Sequence, residues 1–337
     1  MPISLIFIFF ILAFSFTYLM RAYALKKNII DNPNERSSHS VPTPRGGGVA
    51  VVCSYLISLG FLIYTGQLDI TIGFTLIGAG SVVALLGFLD DHGHINSMLR
   101  LVIHFLIAIG AVFFLGGFSD VTLFNGSLHL GWVANIIAVL FLVWLLNLYN
   151  FMDGINGIAS VEAITTVLSL GFIYLALGTP LSSELLFILA ACVLGFVLWN
   201  FPKARIFMGD AGSGFLGLIL GILALISLKI DPALFCAWII CLGVFIVDAT
   251  FTLIRRVING HKMYDAHRSH AYQYASRKYN SHTTVTIGVL LINVFWLLPI
   301  AYLASQKVMM PESLLLIAYI PLILLALFFG AGKTENA

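Results

Sequence analysis

Charge is what this chain has least of. Asp, Glu, Lys and Arg together make up 9% of its 337 residues, against about a quarter in soluble globular domains. That scarcity excludes a fold with an ordinary water-facing surface. Cysteine is also scarce. Cys53, Cys192, Cys236 and Cys241 all sit inside apolar runs without zinc-site spacing, which excludes both a disulfide framework and a zinc module. They read as small core or lipid-facing residues. There is no internal repeat and no low-complexity tract.

Apolar residues fill the space instead, at 60% of the chain. A helix crossing the hydrocarbon core needs about 20 mostly apolar residues. Eleven stretches qualify: 3–20, 47–64, 70–89, 101–117, 131–149, 157–177, 184–200, 213–229, 233–254, 284–304 and 313–331, with 184–200 the weakest. The expectation is an all-α polytopic membrane protein, one domain over 1–337 with a bundle of ten or eleven transmembrane helices. Ala22-Tyr23-Ala24 looks like a signal-peptide cleavage site. No Lys or Arg precedes the first apolar run, however, whereas Arg21, Lys26 and Lys27 follow it. This order predicts a retained first helix with its N-terminus outside. Of the 17 basic residues, all but Lys229 and Lys307 then fall on the inner side, in loops 21–46, 90–100, 201–212 and 255–283 and at Lys333. Among the outer loops, 118–130 reads as a turn or small hairpin around Phe124-Asn125-Gly126-Ser127.

The unusual side chains lie on that inner side. Asn147, Asn150, Asp153 and Asn156 recur every third residue at the end of an apolar run. Helical residues three apart are surface neighbours, and Gly154 and Gly157 let a ligand approach the backbone. One such Asn would be merely interfacial; the group offers oxygens to a hard cation or a polar head group. Asp90-Asp91 ends another apolar run. Paired carboxylates at a helix C-terminus oppose its dipole, so they predict a metal or basic partner unless they simply stop the helix at the interface. Phe207-Met208-Gly209-Asp210-Ala211-Gly212-Ser213-Gly214 leads into a further helix, where free N–H groups suit phosphate and Asp210 is placed to bring Mg2+ to it.

Ala266-His267-Arg268-Ser269-His270 forms a cationic patch suited to pyrophosphate. With no acid or Cys at zinc-like spacing except Asp265, phosphate is preferred over zinc. In the first inner loop, Arg36-Ser-Ser-His39 and Arg45-Gly46-Gly47-Gly48 flank Pro42 and Pro44, which hold the chain extended. Arg45 is a phosphate-binding candidate; Arg36 reads equally as an ordinary positive-inside residue. His261 and His282 read as solvated. Glu162 and Asp248 lie inside apolar runs, where an acid is a functional candidate by default. In the blander reading, Glu162 snorkels or faces the bundle and Asp248 pairs with Arg255 or Arg256, the former about 10 Å along the helix.

Taken in order, Asp90-Asp91, Asn147-x-x-Asn150-Phe-x-Asp153-Gly-x-Asn156-Gly, Phe207-Met-Gly-Asp210-x-Gly-Ser and the His267/His270 loop resemble the polyprenyl-phosphate N-acetylhexosamine-1-phosphate transferase family, of the glycosyltransferase family 4 type. The resemblance runs from about Asp31 to His270. Asn34-Glu-Arg-Ser-Ser-His-Ser and Ala-His-Arg-Ser-His-Ala-Tyr-Gln are most similar to its O-antigen-initiating branch. It implies a phosphotransferase of the bacterial inner (cytoplasmic) membrane with its active site on the cytoplasmic side. Such an enzyme moves an N-acetylhexosamine 1-phosphate, of GlcNAc or a 6-deoxy amino sugar, from a UDP-sugar to undecaprenyl phosphate, releasing UMP and starting O-antigen, lipopolysaccharide or a related cell-wall glycan. It implies Mg2+, or Mn2+ in its place, on Asp210 with Asn150. It implies the uracil on Asn156 and Phe207, and phosphate on the His267–His270 loop. It implies that Asp90 and Asp91 activate or position the acceptor phosphate. Asp90, Asp91, His267 and His270 are thus the catalytic candidates, and Arg45, Asn147, Asp153, Asn156, Phe207 and Arg268 the substrate-binding ones. Two departures separate the chain from the lipid I branch. His94 stands where that branch has Lys, and His-Arg-Ser-His replaces three consecutive His. Arg100 is then the candidate cationic partner of the acid pair.

The rival is a secondary transporter with Asp248 and Glu162 as ion sites. Such proteins place the site near the midplane, often between inverted repeats, whereas the polar clusters here gather at span ends on one side. A receptor or scaffold would not need these acid, amide and glycine clusters. The sequence leaves open the sugar (UDP-GlcNAc, UDP-GalNAc or a 6-deoxy amino sugar such as FucNAc or QuiNAc) and the oligomeric state, a homodimer included. No nucleic-acid partner is expected.

Overall fold

A computed structural model describes residues 3–33, 38–39, 41–93, 95–123, 126–178, 180–261 and 267–333. Arg36, His94, Lys262 and Asp265 lie outside the described residues, as does the Phe124-Asn125 turn. The first half of the chain runs α1 (Ile3–Lys26), β1 (Ile30–Asp31), β2 (Thr43–Pro44), α2 (Gly48–Tyr64), α3 (Ile70–His92), α4 (Ser97–Phe114), β3 (Asp120–Leu123), β4 (Gly126–His129), α5 (Trp132–Met152) and α6 (Ile158–Ala176). It continues through α7 (Pro180–Asn200), α8 (Asp210–Ile230), α9 (Pro232–Cys241), α10 (Gly243–Ile258), α11 (Ala271–Tyr279), α12 (His282–Ile292), a π-helical turn (Asn293–Leu297), α13 (Leu298–Ser305) and α14 (Pro311–Phe328).

Every one of the eleven apolar stretches holds a helix. Among the described residues, nine helices are long and apolar enough to cross a membrane, counting α12 to α13 as one span and including Ser183–Asn200, the weakest stretch in the sequence. A tenth is α9 with α10, bent by 72° between them, and α2 is a shorter apolar helix of 17 residues. The protein is a multi-pass, all-α membrane protein. The predicted hairpin is present as β3–β4, pairing Asp120 with His129 through Leu123 with Gly126. The sequence reading did not anticipate the β1–β2 pair, in which Asp31 lies opposite Thr43, or the nine-residue α11 inside the long 255–283 loop.

Helix α8 is the axis. It is 89% buried along its apolar window, whereas α1 and α14 are 17% and 22% buried and present their apolar faces outward, as lipid allows. α8 packs on α3, α5, α2 and α9. Two glycines let α2 and α3 come close to its first turn. A Cβ on Gly48, the first residue of α2, would overlap the Gly212 backbone, and one on Gly87 of α3 would overlap the Asp210 and Ala211 backbone. The start of α2, the end of α3 and the start of α8 therefore meet backbone to backbone at one end of the bundle.

The two intramembrane acids are structural partners of other helices. Glu162 on α6 is fully buried and faces the bundle. Its Oε2 accepts from Asn293 Nδ2 at 2.7 Å, and the same amide donates to Thr165 Oγ1 at 2.7 Å. One turn along, Thr166 Oγ1 donates to the Cys241 carbonyl at 3.2 Å, at the α9–α10 bend. Asp248 on α10 was expected to pair with Arg255 or Arg256. Instead it caps α11, accepting the backbone N–H groups of Ala271 (2.8 Å) and Tyr272 (2.9 Å), while Arg255 donates to the Ala331 carbonyl. A carboxylate at a helix start satisfies N–H groups that have no partner within the helix, which is a stronger local demand than an arginine two turns away.

Candidate active site

The last turn of α3 presents Asp90 and Asp91, both buried, and each meets the start of α8. Asp91 Oδ1 accepts the backbone N–H of Asp210 at 3.3 Å, and its other oxygen is buried without a hydrogen-bond partner. Asp90 Oδ1 accepts the Ile95 N–H at 2.8 Å. Its Oδ2 is bound by the Arg100 guanidinium, which also donates to Asp210 Oδ2 at 2.9 Å. Arg100 is thus the cationic partner that the acid pair required, and it joins Asp90 to Asp210. The sequence placed these acids on separate helix ends with separate tasks; the structure puts them in one cluster.

Arg45 reaches the cluster from the β2–α2 junction. It donates through Nη2 to the Asp91 carbonyl at 2.6 Å and brings Nε within 3.7 Å of Asp91 Oδ1. Its position is fixed by strand-like pairing with the loop before α8: Phe207 N–H to the Pro44 carbonyl (2.8 Å), Gly47 N–H to Phe207 (2.9 Å) and Gly48 N–H to Met208 (2.8 Å). The glycine-rich loop was expected to offer free N–H groups to phosphate. Here those of Gly212 and Ser213 go to the Gly209 carbonyl, and that of Asp210 goes to Asp91.

At the end of α5, Asn150 Nδ2 donates to Ser213 Oγ at 3.0 Å, leaving its carbonyl oxygen for another partner. Asp153 closes that helix. Burial, followed by the nearby carboxylates of Asp210 and Asp91, pushes the Asp153 carboxyl well above its usual range. Asn156 donates to the Pro202 carbonyl at 3.1 Å, and its own carbonyl accepts from Thr286. Asn147 bonds back to the Val143 carbonyl and lines a small cavity behind the site, with Arg100, His104, Asn150 and Asp210.

One cavity, of about 220 Å³, brings together Arg45, Asp91, Asn150, Asp153, Asn156, Phe207 and Asp210. Asp90 and Asn147 stand behind this wall and do not line it. Neither do His267, Arg268 and His270. The His267 and His270 rings pack on each other, 4.9 Å between centroids. His270 is buried with Nδ1 3.4 Å from an Asp248 oxygen. Burial, with His270 and Arg256 next, pushes the His267 imidazole down to about 3. Two imidazoles of the expected cationic patch thus pack together away from this cavity, and His267 is neutral at ordinary pH. What this loop delivers to the cavity is Gln273, on the helix that Asp248 caps.

Sequence reasoning gave no site role to several further lining residues. Asp31 and His39 come from the first loop. Gln273 comes from α11, for which the sequence offered only a loop. His282, read as solvated, is half-buried and binds the Ser38 carbonyl through Nε2 at 2.8 Å. No periodicity signals such a role for an isolated polar residue in a loop.

Among the described residues, no three acid or His side chains converge as a ready-made metal cage. Asp91, Asp153, Asp210 and Asn150 nevertheless line one cavity and offer it oxygen donors, and one Asp91 oxygen is buried and unpartnered. That suits Mg2+, which takes one or two carboxylates and fills its remaining positions with water and phosphate oxygens.

Fold and site together define a multi-span membrane protein with an acid-lined cavity at one end of its bundle. Residues 73–228 match the family model described as "Glycosyl transferase family 4". A Bacillus subtilis protein described as a probable undecaprenyl-phosphate N-acetylglucosaminyl 1-phosphate transferase is 30% identical over 299 residues, covering 87% of this chain and 82% of its own. A Thermotoga maritima undecaprenyl-phosphate alpha-N-acetylglucosaminyl 1-phosphate transferase is 25% identical over 300 residues, 88% of each chain. A phospho-N-acetylmuramoyl-pentapeptide-transferase of Streptococcus pneumoniae is 29% identical over 242 residues, 67% of this chain and 70% of its own. The chain belongs to the polyprenyl-phosphate N-acetylhexosamine-1-phosphate transferase family. Nothing in these relatives, or in the bonded settings of Asp248 and Glu162, supports a transporter.

Proposed function

We propose that this protein transfers an N-acetylhexosamine 1-phosphate from a UDP-sugar to undecaprenyl phosphate at the cytoplasmic face of a bacterial inner membrane, as the first step of an O-antigen or related glycan. The observation that carries this reading is the single cavity where Asp91, Asp153, Asp210 and Asn150 face Arg45, with Arg100 behind them. The relatives' printed names support the acceptor class and GlcNAc as the first sugar to test.

In this reaction an oxygen of the lipid phosphate attacks the sugar-bearing phosphorus. The bond from that phosphorus to the oxygen bridging toward UMP breaks, and UMP leaves with the electron pair. Phosphoryl transfer depends on position and charge neutralisation more than on covalent help from the protein. Asp210 and the Asn150 carbonyl, with Asp91 and Asp153 beside them, would hold Mg2+, which when bound neutralises pyrophosphate charge. Arg45 binds a phosphate oxygen from the β2–α2 side. Asp90 acts through Arg100, fixing the guanidinium against Asp210. Asn156 and Phe207, which line the same cavity, receive the base.

The test is transfer by purified protein in detergent, with undecaprenyl phosphate and a panel of UDP-sugars with and without Mg2+. Lipid-dependent UMP release with at least one UDP-N-acetylhexosamine is expected. UMP release that ignores the lipid, or none with any sugar, would overturn the reading.

A further inference from the structure

The first loop places one imidazole and one carboxylate on the cavity that the proposed chemistry leaves without a task. Asp31 is held by β1, paired opposite Thr43 of the strand that also anchors Arg45. His39 stands edge-on to the Phe207 ring, 4.8 Å between centroids, and the Ser38 carbonyl beside it is tied down by His282. His39 Nε2 lies 3.9 Å from Asp31 Oδ2, too far for a hydrogen bond. That nitrogen is buried and has no hydrogen-bond partner among the described residues. Both side chains line the 220 Å³ cavity. His39 also lines the adjoining one, of about 470 Å³, whose wall includes Lys203, Arg277 and Asn280.

A donor and an acceptor held 3.9 Å apart are spaced for one small group that accepts from the first and donates to the second. An oxygen about 2.8 Å from each sees them at an angle of about 90°, compatible with the accepting and donating directions of a hydroxyl. A phosphate oxygen does not fit, because it would face the Asp31 carboxylate. A carbonyl does not fit either, because it has no proton to give. Resting on the donor proposed above, we infer that Asp31 and His39 form a hydroxyl-reading subsite for a sugar ring of the nucleotide sugar. The ring is either the ribose, next to the Phe207 wall, or the hexose, toward the larger cavity. The sequence had read this loop as basic and phosphate-facing.

The experiment is calorimetric binding of UMP, 2′-deoxy-UMP, 3′-deoxy-UMP and UDP-GlcNAc to the purified full chain, its Asp31→Asn, His39→Leu and His39→Gln variants, with thermal unfolding of each. Asp31→Asn and His39→Leu are expected to weaken UDP-GlcNAc about tenfold, the loss of one or two buried hydrogen bonds. His39→Gln, which retains an N–H donor, is expected to recover part of that loss. If the ribose is read, UMP weakens equally, and the parent's preference for UMP over one of its deoxy forms vanishes in the variants. If the hexose is read, UMP binding stays at the parent value. Affinities for all ligands within twofold of the parent in well-folded Asp31→Asn and His39→Leu would overturn the subsite. A parent that binds neither UMP nor UDP-GlcNAc would instead overturn the proposed donor, and this inference with it.

Discussion

Asp91, on the last turn of α3, accepts the backbone N–H of Asp210 at 3.3 Å and so closes the start of α8. Its other oxygen has no hydrogen-bond partner and the residue lines the cavity, so structural and chemical roles meet in one carboxylate, and two substitutions separate them. Asp91→Asn keeps an acceptor for the N–H group and is expected to unfold near the parent temperature while losing most turnover. Asp91→Ala removes the cap and is expected to lose about 1 kcal/mol of stability as well. Thermal unfolding alongside UMP release reads both. A parent-like melting temperature for Asp91→Ala would remove the capping role.

Arg100 serves Asp90 and Asp210 together, so a change at the first acid is felt at the second. In Asp90→Asn, the guanidinium is left with Asp210 as its carboxylate partner and competes better with a metal. The Mg2+ concentration for half-maximal turnover is expected to rise several-fold, with UDP-sugar binding nearly unchanged. Asp210→Asn is expected to lose Mg2+ and nucleotide affinity outright. Parent-like metal and nucleotide binding by Asp210→Asn would show that Asp210 is not the metal ligand.

Gly87 lets α3 touch the first turn of α8. Gly87→Ala is expected to cost about 1–3 kcal/mol, the range for overpacking, and to reduce turnover further by shifting Asp210 against Asp91. Gly78, on the same helix, has open space where a Cβ would sit, so Gly78→Ala is the control expected to leave both measurements intact. Equal behaviour of the two variants would rule out the close contact as the cause.

His267 makes acid stability measurable. Its folded value, about 3, lies below the unfolded value of about 6.5. The unfolded chain therefore takes up the proton first, and stability falls as pH drops through 6.5 toward 3. At pH 5 the full linkage would be about 2 kcal/mol, and partial solvent screening reduces it to about 1 kcal/mol. The unfolding temperature is expected to drop between pH 7.5 and 5, and less steeply in His267→Gln. Identical pH slopes would assign the loss to other groups.

Hydropathy made the helices legible because lipid selects for apolar length, a property summed over many residues. The site was half legible, for a related reason. Asp90, Asp91, Asn150, Asp153 and Asp210 stand out as acids or amides at apolar span ends, and Arg100 could be named as a partner from what the acid pair lacked. What could not be read was which groups satisfy one another. His267 and His270 look cationic in sequence but pack together away from the cavity in the fold. Asp248 looks like half of an ion pair until α11 offers it two N–H groups. His282 and Gln273 carry no pattern, since their place depends on loops whose course is set by backbone pairing across distant segments.

The shortness of α2 has a consequence for the lipid around the enzyme. Its 17 residues rise about 25 Å at 1.5 Å each, less than the hydrocarbon thickness of about 30 Å. Gly48 cannot slide toward either boundary, because it is locked against Gly212. Where α2 crosses the full hydrocarbon layer, the bilayer would thin beside it or the Arg45 end would lie below the surrounding headgroups, each at an elastic cost that grows with acyl chain length. In vesicles of graded thickness this transferase should work best in the thinner ones, a mechanical sensitivity set by one helix too short for its membrane.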